Sequence, residues 1–152
     1  RDVTGTFSTL ALGFSTITLA LAWTSWQACR SDPNSPERLV VELRLSQYSA
    51  LLLLLVVGVY VGLGVAHENI GGTGFDIAIA VGFFVIASSA ITWEPATALT
   101  TLSLAWVGHS FIDLAHIVNL LPSDMTPAWH PRACAIYNVC VAAICYLPLL
   151  RR

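Results

Sequence analysis

The segment Trp106-Val-Gly-His109-Ser-Phe-Ile-Asp113-Leu-Ala-His116 places three ionisable side chains in a stretch that is otherwise apolar enough to cross a bilayer. Each residue of an α-helix advances about 100°, so Asp113 falls about 40° from His109, and His116 about 20° to its other side. The three side chains therefore share one narrow face. An ionisable group at bilayer depth costs about 2.5–3.5 kcal/mol on insertion scales, so such groups usually face a bundle interior and carry function.

Composition places the whole chain in a membrane. Of its 152 residues, 56% are hydrophobic and only 11% are charged, against roughly 25% charged in soluble domains. The mean hydropathy of +0.73 arises from apolar runs separated by short polar loops. The sequence therefore predicts an all-α, polytopic integral membrane protein with a single transmembrane domain over residues 1–152. The net charge of −2 argues against a broad basic surface for nucleic acid.

Five apolar runs predict five transmembrane helices in one bundle, because each is near the roughly 20 residues that a bilayer requires. They cover residues 7–28, 48–66, 75–92, 96–119 and 132–150. The segment Arg30–Arg38 holds two prolines and mixed charge, which predicts a solvated loop. An amphipathic lead-in, Leu39–Gln47, follows it. In the second run, Gly58-x-x-x-Gly62 is a spacing that can mark a helix-packing face.

The arginines predict the orientation of this bundle. Five crossings place one group of arginines on the side of the C-terminus: Arg30, Arg38, Arg44, Arg151 and Arg152. Only Arg1 and Arg132 lie on the other side, so the positive-inside bias predicts a cytoplasmic C-terminus. The same five crossings place all four histidines toward the non-cytoplasmic face.

The cluster on the fourth run has a metal-dependent and a metal-free interpretation. Imidazole and carboxylate are common ligands of zinc and iron, so His109, Asp113 and His116 are candidate metal ligands, with Glu68 as a further one. Without a metal, His109 and His116 are candidate acid–base catalysts that Asp113 orients, acting on a hydrophobic substrate. Glu68 is favoured over Asp76 as the added carboxylate, because Asp76 sits near a helix start, where the dipole favours an acid.

A third interpretation is a cofactor site. Imidazole also binds the metal of haem or chlorophyll, which makes His67 and His130 candidate cofactor ligands. His130 is expected in a polar loop that ends at Pro131.

Two non-catalytic alternatives remain open. In the first, His109, Ser110, Asp113 and Asn138 form a polar seam that holds helices together, although interhelical hydrogen bonds contribute only about 0.6 kcal/mol on average. In the second, the chain is an accessory subunit of a larger respiratory or photosynthetic membrane complex, since it is small and has small-residue helix faces. Its partners are then other membrane proteins or further copies of itself.

The motif Trp106-x-x-His109-x-x-x-Asp113-x-x-His116, followed by Trp129-x-Pro131 and Cys134, resembles a family of small bacterial multipass membrane proteins. The resemblance covers the second to fifth runs. It implies a multipass helical bundle and no particular activity.

Overall fold

The computed structural model describes residues 3–66, 74–121 and 129–151, and these ranges contain five α-helices and no β-strand. In chain order the helices are α1 (Val3–Arg30), α2 (Pro36–Ala66), α3 (Gly74–Ala90), α4 (Pro95–Ile117) and α5 (Trp129–Tyr146), followed by a 3₁₀ helix, Leu147–Arg151. The all-α prediction is confirmed.

The second helix starts much earlier than predicted. The backbone N–H of Arg38 donates to Ser35 Oγ at 3.2 Å, and Pro36 occupies the first helical position, where its missing N–H is not needed. These two features begin α2 at Pro36. The lead-in expected over Leu39–Gln47 is therefore the first part of α2, and the solvated loop shortens to residues 31–35.

Local sequence features also determine the end of α4 and the start of α5. Asn119 adopts a left-handed conformation with φ of 58°, and the N–H of Leu120 donates to Ala115 O at 2.9 Å, which closes α4. Helix α5 begins at Trp129 rather than at 132. Pro131 is tolerated there because the first-turn N–H groups have no intrahelical acceptor. The placement of His130 in a loop was therefore wrong: His130 is helical and buried.

Helix α2 is the centre of the bundle, since it contacts each of the other four helices, while α4 packs most extensively on α5. The largest fully buried side chain is Trp106. Its indole N–H donates to Ser49 Oγ at 2.9 Å, and the thiol of Cys145 donates to the same oxygen at 3.1 Å. One hydroxyl of α2 thus ties α4 and α5 to the central helix.

The start of α2 is fastened to the end of the chain by a buried arginine. Arg38 Nε lies 2.9 Å from Glu42 Oε1. Its other nitrogens donate to Pro148 O at 2.8 Å and to Arg151 O at 3.1 Å. Carbonyls at a helix end lack intrahelical donors, so the guanidinium satisfies groups of the 3₁₀ helix that would otherwise need water.

The bundle is apolar outside, and its mainly apolar core also encloses polar side chains. Large hydrophobic side chains are exposed on every helix, among them Leu12, Leu19, Leu51, Leu55, Val81, Phe84, Leu104, Phe111, Ile136 and Val139. Ionisable and amide side chains lie inside, among them Asp76, His109, Asp113, His116, His130 and Asn138. Extended exposed apolar surface marks contact with membrane or protein.

Within the described residues, two helices are long and apolar enough to cross a membrane by length and composition, over residues Pro36–Gly62 and Trp129–Arg151. Helix α3 is apolar but shorter. The Gly58-x-x-x-Gly62 spacing is not used within the described chain, because a Cβ added at either glycine would meet open space.

Candidate functional site

The three ionisable residues of α4 all point inward. His109, Asp113 and His116 are 7%, 3% and 5% exposed. Their spacing along the helix places them on one face, as the sequence indicates. The shared buried face predicted for these residues is confirmed; their chemical roles are a separate question.

Asn138 of α5 holds the first two of these residues in a triangle. Its Nδ2 donates to Asp113 Oδ2 at 2.8 Å and lies 2.6 Å from His109 Nδ1, and Nδ1 lies 3.3 Å from Asp113 Oδ2. An amide nitrogen is only a donor, so Nδ1 is the acceptor and a neutral His109 carries its proton on Nε2. Reversing the Asn138 amide would place its oxygen against the carboxylate oxygen of Asp113, and two acceptors would then face each other.

These contacts include those expected of a polar seam between α4 and α5. Ser110 adds to them by donating to Ala135 O at 2.9 Å. Asn138 Oδ1, however, is buried without a hydrogen-bond partner in the described part of the chain. The seam is therefore real but incompletely satisfied.

The third residue of α4 has a different neighbour. His116 Nε2 lies 3.6 Å from Asp76 Oδ1 of α3, and both side chains are 4% exposed. This separation is too long for a hydrogen bond, and neither ring nitrogen of His116 has a partner among residues 3–66, 74–121 and 129–151. On the other side of Asp76, the hydroxyl of Tyr60 of α2 is hydrogen-bonded to the carboxylate.

A small cavity of about 20 Å³ lies between the two His–Asp pairs. Its walls include Tyr60, Asp76, His109, Asp113 and His116. A cavity needs about 10–15 Å³ to hold a water molecule, and such a water needs polar partners. This cavity meets both conditions, so one water can bridge His116 and Asp76.

The metal hypothesis gains no support from this geometry. In the described ranges, no three side chains of His, Cys, Asp or Glu are grouped so that they could hold one ion. The physical reason is that His109 turns to Asp113 and Asn138, whereas His116 turns to Asp76. The proposed further ligand, Glu68, lies outside the described residues.

The two candidate cofactor ligands, His67 and His130, have different outcomes. His67 lies outside the described residues. His130 lines an apolar pocket of about 230 Å³ between α1, α2 and α5. This volume is below the roughly 300–1,000 Å³ of typical small-molecule sites. The pocket does not fit a haem or chlorophyll macrocycle.

One member of the cluster, Tyr60, was missed from sequence, and Asp76 was undervalued. Tyr60 lies within an apolar run with no signal beyond its hydroxyl, and Asp76 was assigned to the helix dipole. Asn138 was expected in a seam with His109 and Asp113, and it contacts both. The packing of α2 and α3 on α4 adds Tyr60 and Asp76 to the cluster.

Comparison with protein families, curated proteins and solved structures gives no match.

Proposed function

We propose that this chain is a multipass membrane protein of five spans with an acid–base site buried in its bundle. Two of the spans are supported by length and composition, α2 and α5. The other three helices pack on these two and expose large apolar side chains along their lengths. The distribution of arginines favours a cytoplasmic C-terminus.

The observation that carries the acid–base proposal is the buried imidazole of His116, whose Nε2 lies 3.6 Å from Asp76 Oδ1 beside a small polar cavity. Neither ring nitrogen is held by a hydrogen bond to another described residue. A ring nitrogen that meets a water in this cavity can accept or donate a proton, as general acid–base catalysis requires.

Each residue then has a defined task. His116 exchanges the proton with the substrate, and Asp76 orients its ring through the bridging water. Tyr60 donates to Asp76 and fixes the carboxylate. His109 and Asp113 form the second pair, which the amide of Asn138 holds in place. The proposed substrate is hydrophobic because the bilayer supplies it, and it reaches His116 only when the helices around the cavity of about 20 Å³ move apart.

Solvent deuterium tests this proposal. The full chain is incubated in D₂O with lipids of its native membrane, and the lipids are analysed by mass spectrometry. We expect at least one lipid to gain carbon-bound deuterium with wild-type protein, and at least about a hundredfold less with His116→Gln. The control is Phe111→Leu, a conservative change at an exposed site on the same helix. Equal deuterium with wild type and His116→Gln would contradict the proposal.

A second candidate function is an accessory subunit, and the outer face of α3 favours it. Helix α3 contacts α2 and α4, and its other face exposes Ile77, Val81, Phe84 and Val85. Isolation in mild detergent distinguishes the two. An accessory subunit leaves the membrane with stoichiometric partners, whereas a self-contained enzyme is recovered alone or as a homo-oligomer.

A further inference from the structure

A second, larger pocket lies apart from the acid–base cavity, between α1, α2 and α5. It measures about 230 Å³, and its walls are mostly apolar, including Phe14, Val56, Val59 and Ala133. An apolar cavity of about 150 Å³ already accepts a benzene ring. This pocket therefore has room for one substituted six-membered ring.

The polar side chains in the pocket wall are Ser15, Trp129, His130, Cys134 and Tyr137. His130 is 5% exposed, and the thiol of Cys134 lies 3.6 Å from its Nε2 and 3.8 Å from its Nδ1. A thiol is a weak hydrogen-bond partner, so the imidazole can still donate strongly to an oxygen in the pocket. No acidic or basic side chain other than this imidazole lines the described walls. A neutral head group with an oxygen acceptor suits these surroundings.

Aromatic rings form much of the wall. Phe14 and Tyr137 meet edge to face at 5.5 Å, and Trp129 and His130 do so at 5.6 Å. Aromatic rings favour offset or edge-to-face contact with another ring. This favours a flat head group over a branched or spherical one.

A narrower hollow continues from the pocket along the cleft between α1 and α2. It measures about 120 Å³ and shares Phe14 and Val59 with the larger pocket. Thr9, Gly13, Ile17 and Leu55 complete the mostly apolar walls of this hollow. A hydrocarbon tail attached to a ring in the pocket can lie in this hollow and then enter lipid.

We propose that this pocket binds a neutral amphiphile with a flat, carbonyl-bearing ring and a hydrocarbon tail, the chemistry of lipid-soluble quinones. The ring lies among the aromatic side chains, a carbonyl oxygen accepts from His130, and the tail follows the α1–α2 cleft. The inference rests on the membrane location in the proposed function, because such a ligand is supplied by the bilayer.

The test is a titration of the purified full chain in detergent with decyl-benzoquinone, followed by quenching of tryptophan fluorescence. Trp129 lines the pocket and is the natural reporter. We expect saturable quenching. Ala133→Phe, which fills the pocket, should weaken binding at least tenfold, while Ala143→Phe, at an exposed site on the same helix outside the pocket, should leave it unchanged. His130→Phe, which keeps a ring but removes the donor, should weaken binding about tenfold.

The remaining outcomes are decisive. Absence of saturable quenching, or equal binding by Ala133→Phe and Ala143→Phe, overturns the proposal. Displacement of the quinone by hexadecanol or palmitate at equal concentration overturns the proposal that the pocket prefers a flat head group. The deuterium assay is independent of this titration. If the wild-type chain binds the quinone but transfers no deuterium, the acid–base site alone is refuted; if it transfers deuterium but does not bind the quinone, the quinone site alone is refuted.

Discussion

At the scale of single residues, Asn138 is the side chain on which the buried cluster most depends. Its amide reaches both His109 and Asp113, so Asn138→Leu leaves two buried polar groups without this donor. We expect a loss of about 2 kcal/mol in the free energy of unfolding, seen as a lower midpoint of thermal unfolding by circular dichroism in detergent.

The matched control for Asn138→Leu is Val139→Leu, the neighbouring position on α5, whose side chain is exposed. This change should leave the unfolding midpoint unchanged. Equal midpoints for wild type and Asn138→Leu would mean that the triangle contributes nothing to the fold.

His116 should behave in the opposite way. His116→Phe keeps an aromatic ring of similar size and removes two buried nitrogens that lack partners in the described ranges. We expect stability to be unchanged or to rise by up to about 1 kcal/mol, with deuterium transfer lost. Destabilisation by more than about 1 kcal/mol in the same thermal assay would instead indicate that His116 is structural.

At the scale of helices, a few side chains determine where a helix ends. Asn119 holds a left-handed backbone at the end of α4, a conformation that Asn and Gly adopt most easily. Asn119→Val should destabilise the protein by about 1–2 kcal/mol, while Asn119→Gly should be close to neutral. Thermal unfolding of both variants measures the difference, and similar midpoints would show that α4 does not depend on this turn.

The same scale explains what could be predicted from sequence. The shared face of His109, Asp113 and His116 follows from helix periodicity, which is a local property. The start of α2 was missed because Pro36 was taken as a loop signal, although Ser35 and Pro36 together form a helix start. The helical position of His130 was missed for the same reason. Pro131 was taken as part of a loop, although it lies in the first turn of α5.

Apart from the expected seam of Asn138 with His109 and Asp113, contacts between helices could not be predicted from the sequence. The pairing of His116 with Asp76 depends on how α3 is rotated against α4. Tyr60 enters the cluster only through the packing of α2 on α3. Hydrophobic periodicity gives little help here, because helices that are apolar on nearly every side do not indicate which face is buried.

At the scale of the whole molecule, the proposed five-span arrangement makes a definite topological prediction. Green fluorescent protein fused after Asn34, after Trp93 or at the C-terminus should fluoresce, since all three points are expected in the cytoplasm. Alkaline phosphatase fused after Leu121 should be active, since that point is expected outside. The comparison of both reporters at each point checks the prediction.

The opposite pattern at all four points would invert the orientation while keeping the number of spans. Fluorescence after Leu121 together with fluorescence after Trp93 would remove α4 as a span. In that case the ionisable residues of α4 would not lie at bilayer depth, and the acid–base proposal would lose its premise.

The buried contact between Arg38 and the end of the chain also bears on biosynthesis. The acceptor carbonyl of Pro148 lies 110 residues after Arg38, and a ribosome adding 5–20 residues per second needs roughly 5 to 20 s to cover that distance. During this interval the carbonyls of the 3₁₀ helix are absent, and the Arg38 guanidinium and Glu42 remain in contact with water or a chaperone. The bundle therefore closes around Arg38 only after the 3₁₀ helix Leu147–Arg151 has been synthesised.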